Sequence, residues 1–178
     1  RQRHLLPAAD HAVRLIVPDR QITTLDRLQP TFSQNLATSL GDFIIRRRDG
    51  IYAYQLAVVL DDIAQGITDV VRGADLLDST PRQQWIYQLL DQPLPRYLHI
   101  PLLLRADGEK LSKRLGSTPL DPAQAPAQLF RALQALAQNP PPTLRTVSVD
   151  AQLNWAIAHW QPQHLSATQS LPYDARFA

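Results

Sequence analysis

Lys110 and Lys113 stand three positions apart in Lys110-Leu111-Ser112-Lys113-Arg114, and they are the only lysines in the chain. Of its 18 basic residues, the remaining 16 (18 less these 2) are arginine. The difference in type has chemical content. A guanidinium is a planar fork of fixed charge, whereas an ammonium is a compact point charge on a flexible stem that can follow a phosphate oxygen during a reaction. The flanks place the pair. Tyr97 to Leu104 reads as a short apolar strand, and Arg105-Ala106-Asp107-Gly108-Glu109 as a turn with Asp-Gly at its tip. The lysines therefore follow the carboxyl end of a strand, where open α/β sheets bind ligands. A solvated loop that merely retains two lysines is the alternative left open by spacing alone.

Two more polar residues fall at ligand-binding positions. Arg72 closes the apolar run Ile67-Thr68-Asp69-Val70-Val71, and Gly73 lets the backbone turn away behind it. An arginine there can clamp a carboxylate with two parallel hydrogen bonds, or it can be a sheet-edge arginine paired with Asp69 or Asp75. Tyr54, in the first turn of the preceding helical pattern, can offer a phenol to the same crevice or be half-buried core. Arg46-Arg47-Arg48 reads as a solvated strand end, and Asp61-Asp62 as surface and capping groups, since adjacent helical positions point about 100° apart. His99 reads as a hydrogen-bonded core histidine. Trp85, Trp155 and Trp160 sit on helical patterns and read as core.

Those residues need a scaffold of strands and helices. The first forty residues read as a polar, irregular lead-in with one strand candidate at Val13–Val17. Asp42–Arg48 is expected to be a strand turning at Asp49-Gly50. A helix follows over Tyr52–Gln65, with an apolar stripe at Leu56, Val59, Leu60 and Ile63 and a stop at Gly66. Ile67–Gly73 reads as a buried strand. Ser79-Thr80-Pro81 opens a helix through Gln92, with a hydroxyl cap and proline in the first turn. Strand, helix, strand, helix, strand is half of a doubly wound parallel sheet. Helices over about 122–138 and 149–160 form a small appendage.

Composition bounds the chemistry. The 178 residues are 44% apolar, enough for a real core, and a formal net charge of +2 permits nucleic-acid contact without demanding it. Cysteine is absent and the five histidines show no metal-ligand spacing, so no metal site is expected in this chain. No apolar run reaches the roughly 18 residues of a membrane span, and no signal-like leader is visible. A cytoplasmic setting without membrane contact is the expectation. Methionine is absent even at position 1, and the chain reads as part of something longer.

Ordered blocks carry a family resemblance. They are Asp42-Phe43-Ile44-Ile45-Arg46-Arg47, Asp49-Gly50, Tyr54-Gln55-Leu56-Ala57-Val58-Val59-Leu60-Asp61-Asp62, Gly66-Ile67-Thr68, Val71-Arg72-Gly73-Ala74-Asp75, Ser79-Thr80-Pro81-Arg82-Gln83 and His99-Ile100-Pro101-Leu102. Together they resemble the second half of the catalytic domain of glutamyl-type class I aminoacyl-tRNA synthetases. Lys110-Leu111-Ser112-Lys113-Arg114 is similar to that class's KMSKS signature. Only 64 residues (178 less 114) follow Arg114, too few for the large anticodon-binding region of an ordinary glutamyl-tRNA synthetase. The proline-bearing Gly116-Ser117-Thr118-Pro119-Leu120 also resembles the short branch of the family that glutamylates queuosine in tRNA(Asp). Arg114 departs mildly from that branch, where glutamine is expected.

The resemblance implies an α/β fold, namely the second half of a Rossmann-like parallel-sheet catalytic domain plus a small helical appendage. It implies three parts: 1–40 as the remainder of an inserted acceptor-like domain, 41–118 as the catalytic half with the KMSKS-type loop, and 119–178 as the helical C-terminal part. Tyr54 and Arg72 are implied to contact glutamate and Lys113 to contact ATP, accompanied by Mg2+, while Lys110, Leu111, Ser112 and Arg114 shape the loop. Partners are glutamate, ATP and queuosine-bearing tRNA(Asp), with the protein acting as a monomer. The family's HIGH-type motif and zinc site belong upstream of Arg1, so the isolated piece is expected to be inactive. A truncated ordinary glutamyl-tRNA synthetase and a non-catalytic RNA-binding module derived from a synthetase stay open as alternatives.

Overall fold

The computed structural model describes residues 11–105, 108, 110 and 121–173. The chain divides into two compact units, Arg1–His99 and Ile100–Ala178.

In the first unit, β1 (Val13–Leu15) pairs antiparallel with β4 (Phe43–Arg46), and β2 (Gln21–Thr24) pairs antiparallel with β3 (Phe32–Asn35). The lead-in is therefore not irregular. Ile22 and Thr24 alternate inward against exposed Gln21 and Thr23, a period of two that the polar composition conceals. Asn35 ends β3 and caps the single-turn α1 (Leu36–Ser39), its side-chain oxygen accepting from Ala37 N and Thr38 N. After β4 the chain turns at Gly50, whose φ is +85°.

Helix α2 (Tyr54–Ala64) buries Val59 and packs Leu56, Val58 and Ile63 against the core. Leu60, expected on the buried stripe, is 44% exposed. The helix stops as its sequence requires: Gly66 takes φ +67°, Gly66 N donates to Ile63 O, and Ile67 N donates to Asp62 O. This is the paired-bond arrangement that a glycine just beyond a helix permits. β5 (Asp69–Gly73) follows and neighbours β6 (Arg96–Ile100) in a two-stranded sheet. β5 is not the buried strand expected from its apolar run, because Val71 is 64% exposed.

Between these strands lie a 3-10 turn (Ala74–Ser79) and α3 (Thr80–Leu89). Ser79 does not cap α3: its backbone is already helical and its side chain makes no capping bond. Its hydroxyl instead accepts from Gln55 Nε2 at 3.2 Å and from Arg82 Nη2 at 2.9 Å. The 3-10 turn feeding into α3 supplies the preceding carbonyls that a cap normally replaces. Val17, Ile22, Leu36, Phe43, Val59, Ile86 and Tyr87 form the core of this unit, and Trp85 packs at its edge, donating from Nε1 to Ile16 O at 2.9 Å.

The expected continuous strand from Tyr97 to Leu104 is broken at Pro101, which has no N–H to donate. In the second unit, β7 (Leu102–Leu104) pairs parallel with β8 (Ser170–Pro172), a strand that the polar C-terminal sequence does not announce. Helices α4 (Ala125–Ala135) and α5 (Val149–His159) bury Phe130, Leu133 and Gln152. Gln152 Nε2 donates to Pro126 O at 2.9 Å and Val147 O at 3.3 Å, tying the start of α5 to α4. Trp155 is half-buried and stacks on His159 at 4.8 Å, but Trp160 is 41% exposed and is not core. No helix among the described residues is long and apolar enough to cross a membrane.

Candidate functional site

Residues two apart on a strand share a face, so Tyr97 and His99 project from the same side of β6, and their rings stack at 6.1 Å. Arg72, on neighbouring β5, lies across both. Its guanidinium carbon sits 5.6 Å from the Tyr97 ring centre, and its Nε donates to His99 Nε2 at 2.9 Å. Nη2 donates to Thr80 Oγ1 at 2.8 Å, at the start of α3. The sheet-edge alternative does not hold for Asp69, which is bridged by Arg96 at 2.6 Å and by Arg27 at 3.5 Å.

Behind this arginine lies a buried acid. His99 Nδ1 is 2.6 Å from Asp26 Oδ2, and both side chains are fully buried. Asp26 Oδ1 accepts from the backbone N–H groups of Leu28 at 2.9 Å, Gln29 at 2.8 Å and His99 at 3.3 Å. Burial alone pushes the Asp26 carboxyl up, but these three N–H groups and the His99 ring outweigh it and hold the group below its ordinary value. Burial pushes the His99 ring down, reinforced by the Arg72 charge and opposed by Asp26. At neutral pH the pair is therefore an ionised carboxylate and a neutral imidazole.

Tyr54 and Arg72 are brought together. Tyr54 opens α2 with 53% exposure, and its phenol lies within hydrogen-bonding reach of the Arg72 guanidinium. Asp62, two turns along the same helix, also faces the arginine; burial pushes its carboxyl up, and the Arg72 charge opposes that. Burial likewise raises the Tyr97 phenol. The result is a half-buried cation with an aromatic floor, a phenol at its rim and a buried imidazole behind it. Such a site suits a carboxylate ligand, because the fork is desolvated in advance and its direction is fixed.

The lysine loop belongs to the second unit. Gly108 takes φ +82° and donates to Arg105 O at 2.9 Å, and Lys110 forms an antiparallel bridge with Leu104. Leu111, Ser112, Lys113 and Arg114 lie outside the described residues. No group of three or more His, Cys, Asp or Glu side chains suited to a metal occurs among the described residues. Asp26 and Thr80 escaped sequence reasoning. Only a local signal pointed to Asp26, an Asp whose side chain can accept from the backbone two and three residues on.

The family model for class I tRNA synthetases (E and Q), catalytic domain, matches residues 5–128. The chain belongs to this family. It is 54% identical over 163 residues to a glutamyl-Q tRNA(Asp) synthetase of Pseudomonas fluorescens and 53% identical over 163 residues to one of Pseudomonas aeruginosa. Each alignment covers 92% of this chain, but only 55% and 56% of those relatives. The chain thus spans about half the length of the curated relatives it matches. Among solved structures it is similar to a glutamate-tRNA synthetase from Elizabethkingia anophelis, with a TM-score of 0.70 and 27% identity, covering 92% of this chain and 37% of that one. A glutamate tRNA ligase from Elizabethkingia meningosepticum, solved with its amino acid, is similar at a TM-score of 0.69 and 26% identity. Membership of this family, with glutamate-tRNA synthetases as structural neighbours, makes the fold part of an α/β class I synthetase architecture, as the ordered sequence blocks implied.

Proposed function

We propose that this chain supplies part of an enzyme that activates glutamate with ATP and transfers the glutamyl group to queuosine in tRNA(Asp). The observation that carries the reading is the Arg72 guanidinium, held half-buried beside Tyr54, in a chain 54% identical to a relative named for glutamyl-Q tRNA(Asp) synthesis. In the first step an oxygen of the glutamate α-carboxylate attacks the ATP α-phosphorus, the bond to the bridging oxygen breaks, and pyrophosphate leaves. In the second, a ring hydroxyl of queuosine attacks the acyl carbon and AMP leaves as the ester forms. Arg72 pairs with a carboxylate of glutamate and Tyr54 borders it.

Lys113 meets the phosphates, and Lys110 and Ser112 shape its loop. Negative charge grows on pyrophosphate only as it departs, so an ammonium that reaches it at that moment stabilises the transition state more than the ground state. ATP enters with Mg2+ as substrate. Residues 1–40 are assigned to the inserted acceptor-like part, 41–118 to the catalytic half and 119–178 to the helical continuation, in a monomeric protein of the cytoplasm.

Lys113→Ala in the full-length gene product is expected to lower ATP–pyrophosphate exchange on the order of tenfold to a hundredfold, mostly in kcat. Unchanged exchange would remove Lys113 from the mechanism. The acceptor is tested separately by charging radiolabelled glutamate onto purified tRNAs. Label is expected on queuosine-containing tRNA(Asp) and not on the same tRNA lacking queuosine. Label on tRNA(Glu) instead would identify an ordinary glutamyl-tRNA synthetase.

A further inference from the structure

We propose that Asp26 and His99 are positioning residues that fix how Arg72 presents its guanidinium: His99 holds Nε while Thr80 holds Nη2, so the fork meets the substrate carboxylate from one set direction. The proposal rests on Arg72 being a carboxylate partner, as set out above.

The proton inventory is closed by one fact: an arginine Nε–H can only donate. Arg72 Nε lies 2.9 Å from His99 Nε2, so that ring nitrogen must offer its lone pair. A neutral ring then carries its proton on Nδ1, which donates to Asp26 Oδ2 at 2.6 Å. Asp26 is itself immobile, because its other oxygen accepts the three backbone N–H groups of Leu28, Gln29 and His99. Thr80 completes the frame. Its hydroxyl accepts from Arg72 Nη2 at 2.8 Å and lies 3.3 Å from both Leu76 O and His99 Nε2, either of which can take its proton, and this closes the second direction in which the fork could swing. A guanidinium on a strand end normally has several rotamers of similar energy. Here two of its nitrogens are held by groups from β6 and α3, and the tautomer of the first is dictated by an acid 73 residues away in sequence.

Asp26→Asn reverses this logic without changing shape. The three backbone donors demand the amide oxygen on their side, which turns the amide N–H2 toward His99. The ring must then accept at Nδ1 and carry its proton on Nε2, setting N–H against N–H at Arg72. A purely structural Asp26 would lower stability and disturb glutamate and ATP alike. A positioning Asp26 disturbs glutamate alone.

The test uses the full-length gene product and three readouts: KM for glutamate and for ATP in pyrophosphate exchange, thermal melting, and a long-range 1H–15N spectrum assigned to His99. The wild type is expected to show a protonated Nδ1 and an unprotonated Nε2. Asp26→Asn is expected to raise the glutamate KM on the order of tenfold to a hundredfold while the ATP KM holds. A protonated Nε2 in the wild type overturns the proposal even if Asp26→Asn does not fold. So does a folded Asp26→Asn protein whose glutamate KM is unchanged, or whose two KM values rise together. Arg72→Ala separates the layers: if it alone raises the glutamate KM, the relay is wrong and the substrate assignment stands; if it raises nothing, both fall.

Discussion

Replacing Arg72 by alanine is expected to lower kcat/KM for glutamate by a factor on the order of a hundredfold to a thousandfold, with the ATP KM unchanged. The magnitude follows from removing one partner of a desolvated charge pair, which costs about 2–5 kcal/mol. In the free protein the guanidinium is half-buried over the Tyr97 ring, with His99 and Thr80 already accepting from it. Its cost of desolvation is thus met during folding, and substrate binding collects the Coulombic gain. Arg72→Lys is expected to recover little. An ammonium keeps the charge but cannot bond His99, Thr80 and a carboxylate in one plane, so the direction of the charge is lost. Pyrophosphate exchange at varied glutamate and at varied ATP reads both effects, and melting curves on the same proteins separate them from the roughly 1–3 kcal/mol of orphaned acceptors at His99 and Thr80. An Arg72→Lys protein with wild-type kinetics would show that only charge is needed there.

Tyr54 and Arg72 are visible as candidates because each has a local signal, a tyrosine at a helix start and an arginine closing an apolar run before glycine; those signals leave core and sheet-edge alternatives open, and the family resemblance implies the glutamate contact. The structure brings the two together from strand and helix. Asp26 and His99 show locally only as a turn aspartate and a hydrogen-bonded core histidine, and neither segment records that they meet. Their bond spans 73 residues and the one from His99 to Arg72 spans 27, so each looks like an ordinary residue of its own segment. Local patterns also fixed α2 and its stop at Gly66, where a left-handed φ is a property of one residue. They failed for β2 and β3, whose outward positions carry Gln, Thr and Ser, and for β8, which is a strand only because β7 pairs with it. They failed again at Ser79, where a cap-forming residue was instead drawn into bonds with Gln55 and Arg82. In each case a partner distant in sequence decided the outcome, and periodicity carries no record of such partners.

Leu36→Ala is expected to cost about 2–5 kcal/mol of stability, lowering the melting temperature by roughly 5–15 °C. Leu36 is fully buried, yet it sits in a helix of four residues, Leu36–Ser39. One turn of helix has almost no intrinsic stability, since nucleation is unfavourable and only a single turn of bonds is gained. The Asn35 cap helps with two bonds, but the turn persists because Leu36 is held among Val17, Ile22, Phe43, Val59, Ile86 and Tyr87. Truncating it opens a cavity at the junction of β2, β4, α2 and α3, and the elements cannot collapse into it without shifting several strands. Ile157→Ala is the control. At 79% exposure on α5 it removes the same number of carbons from a site with little packing, and is expected to change stability by less than about 0.5 kcal/mol. Leu36 lies under the helices that begin at Tyr54 and Thr80, so its loss tests whether the site depends on core rigidity or only on its own bonds. Because Arg72 is held by direct bonds to His99 and Thr80, the glutamate KM of Leu36→Ala is expected to stay at the wild-type value well below the melting transition. A glutamate KM that rises in the folded Leu36→Ala protein would show that α2 and α3 transmit core packing to the guanidinium.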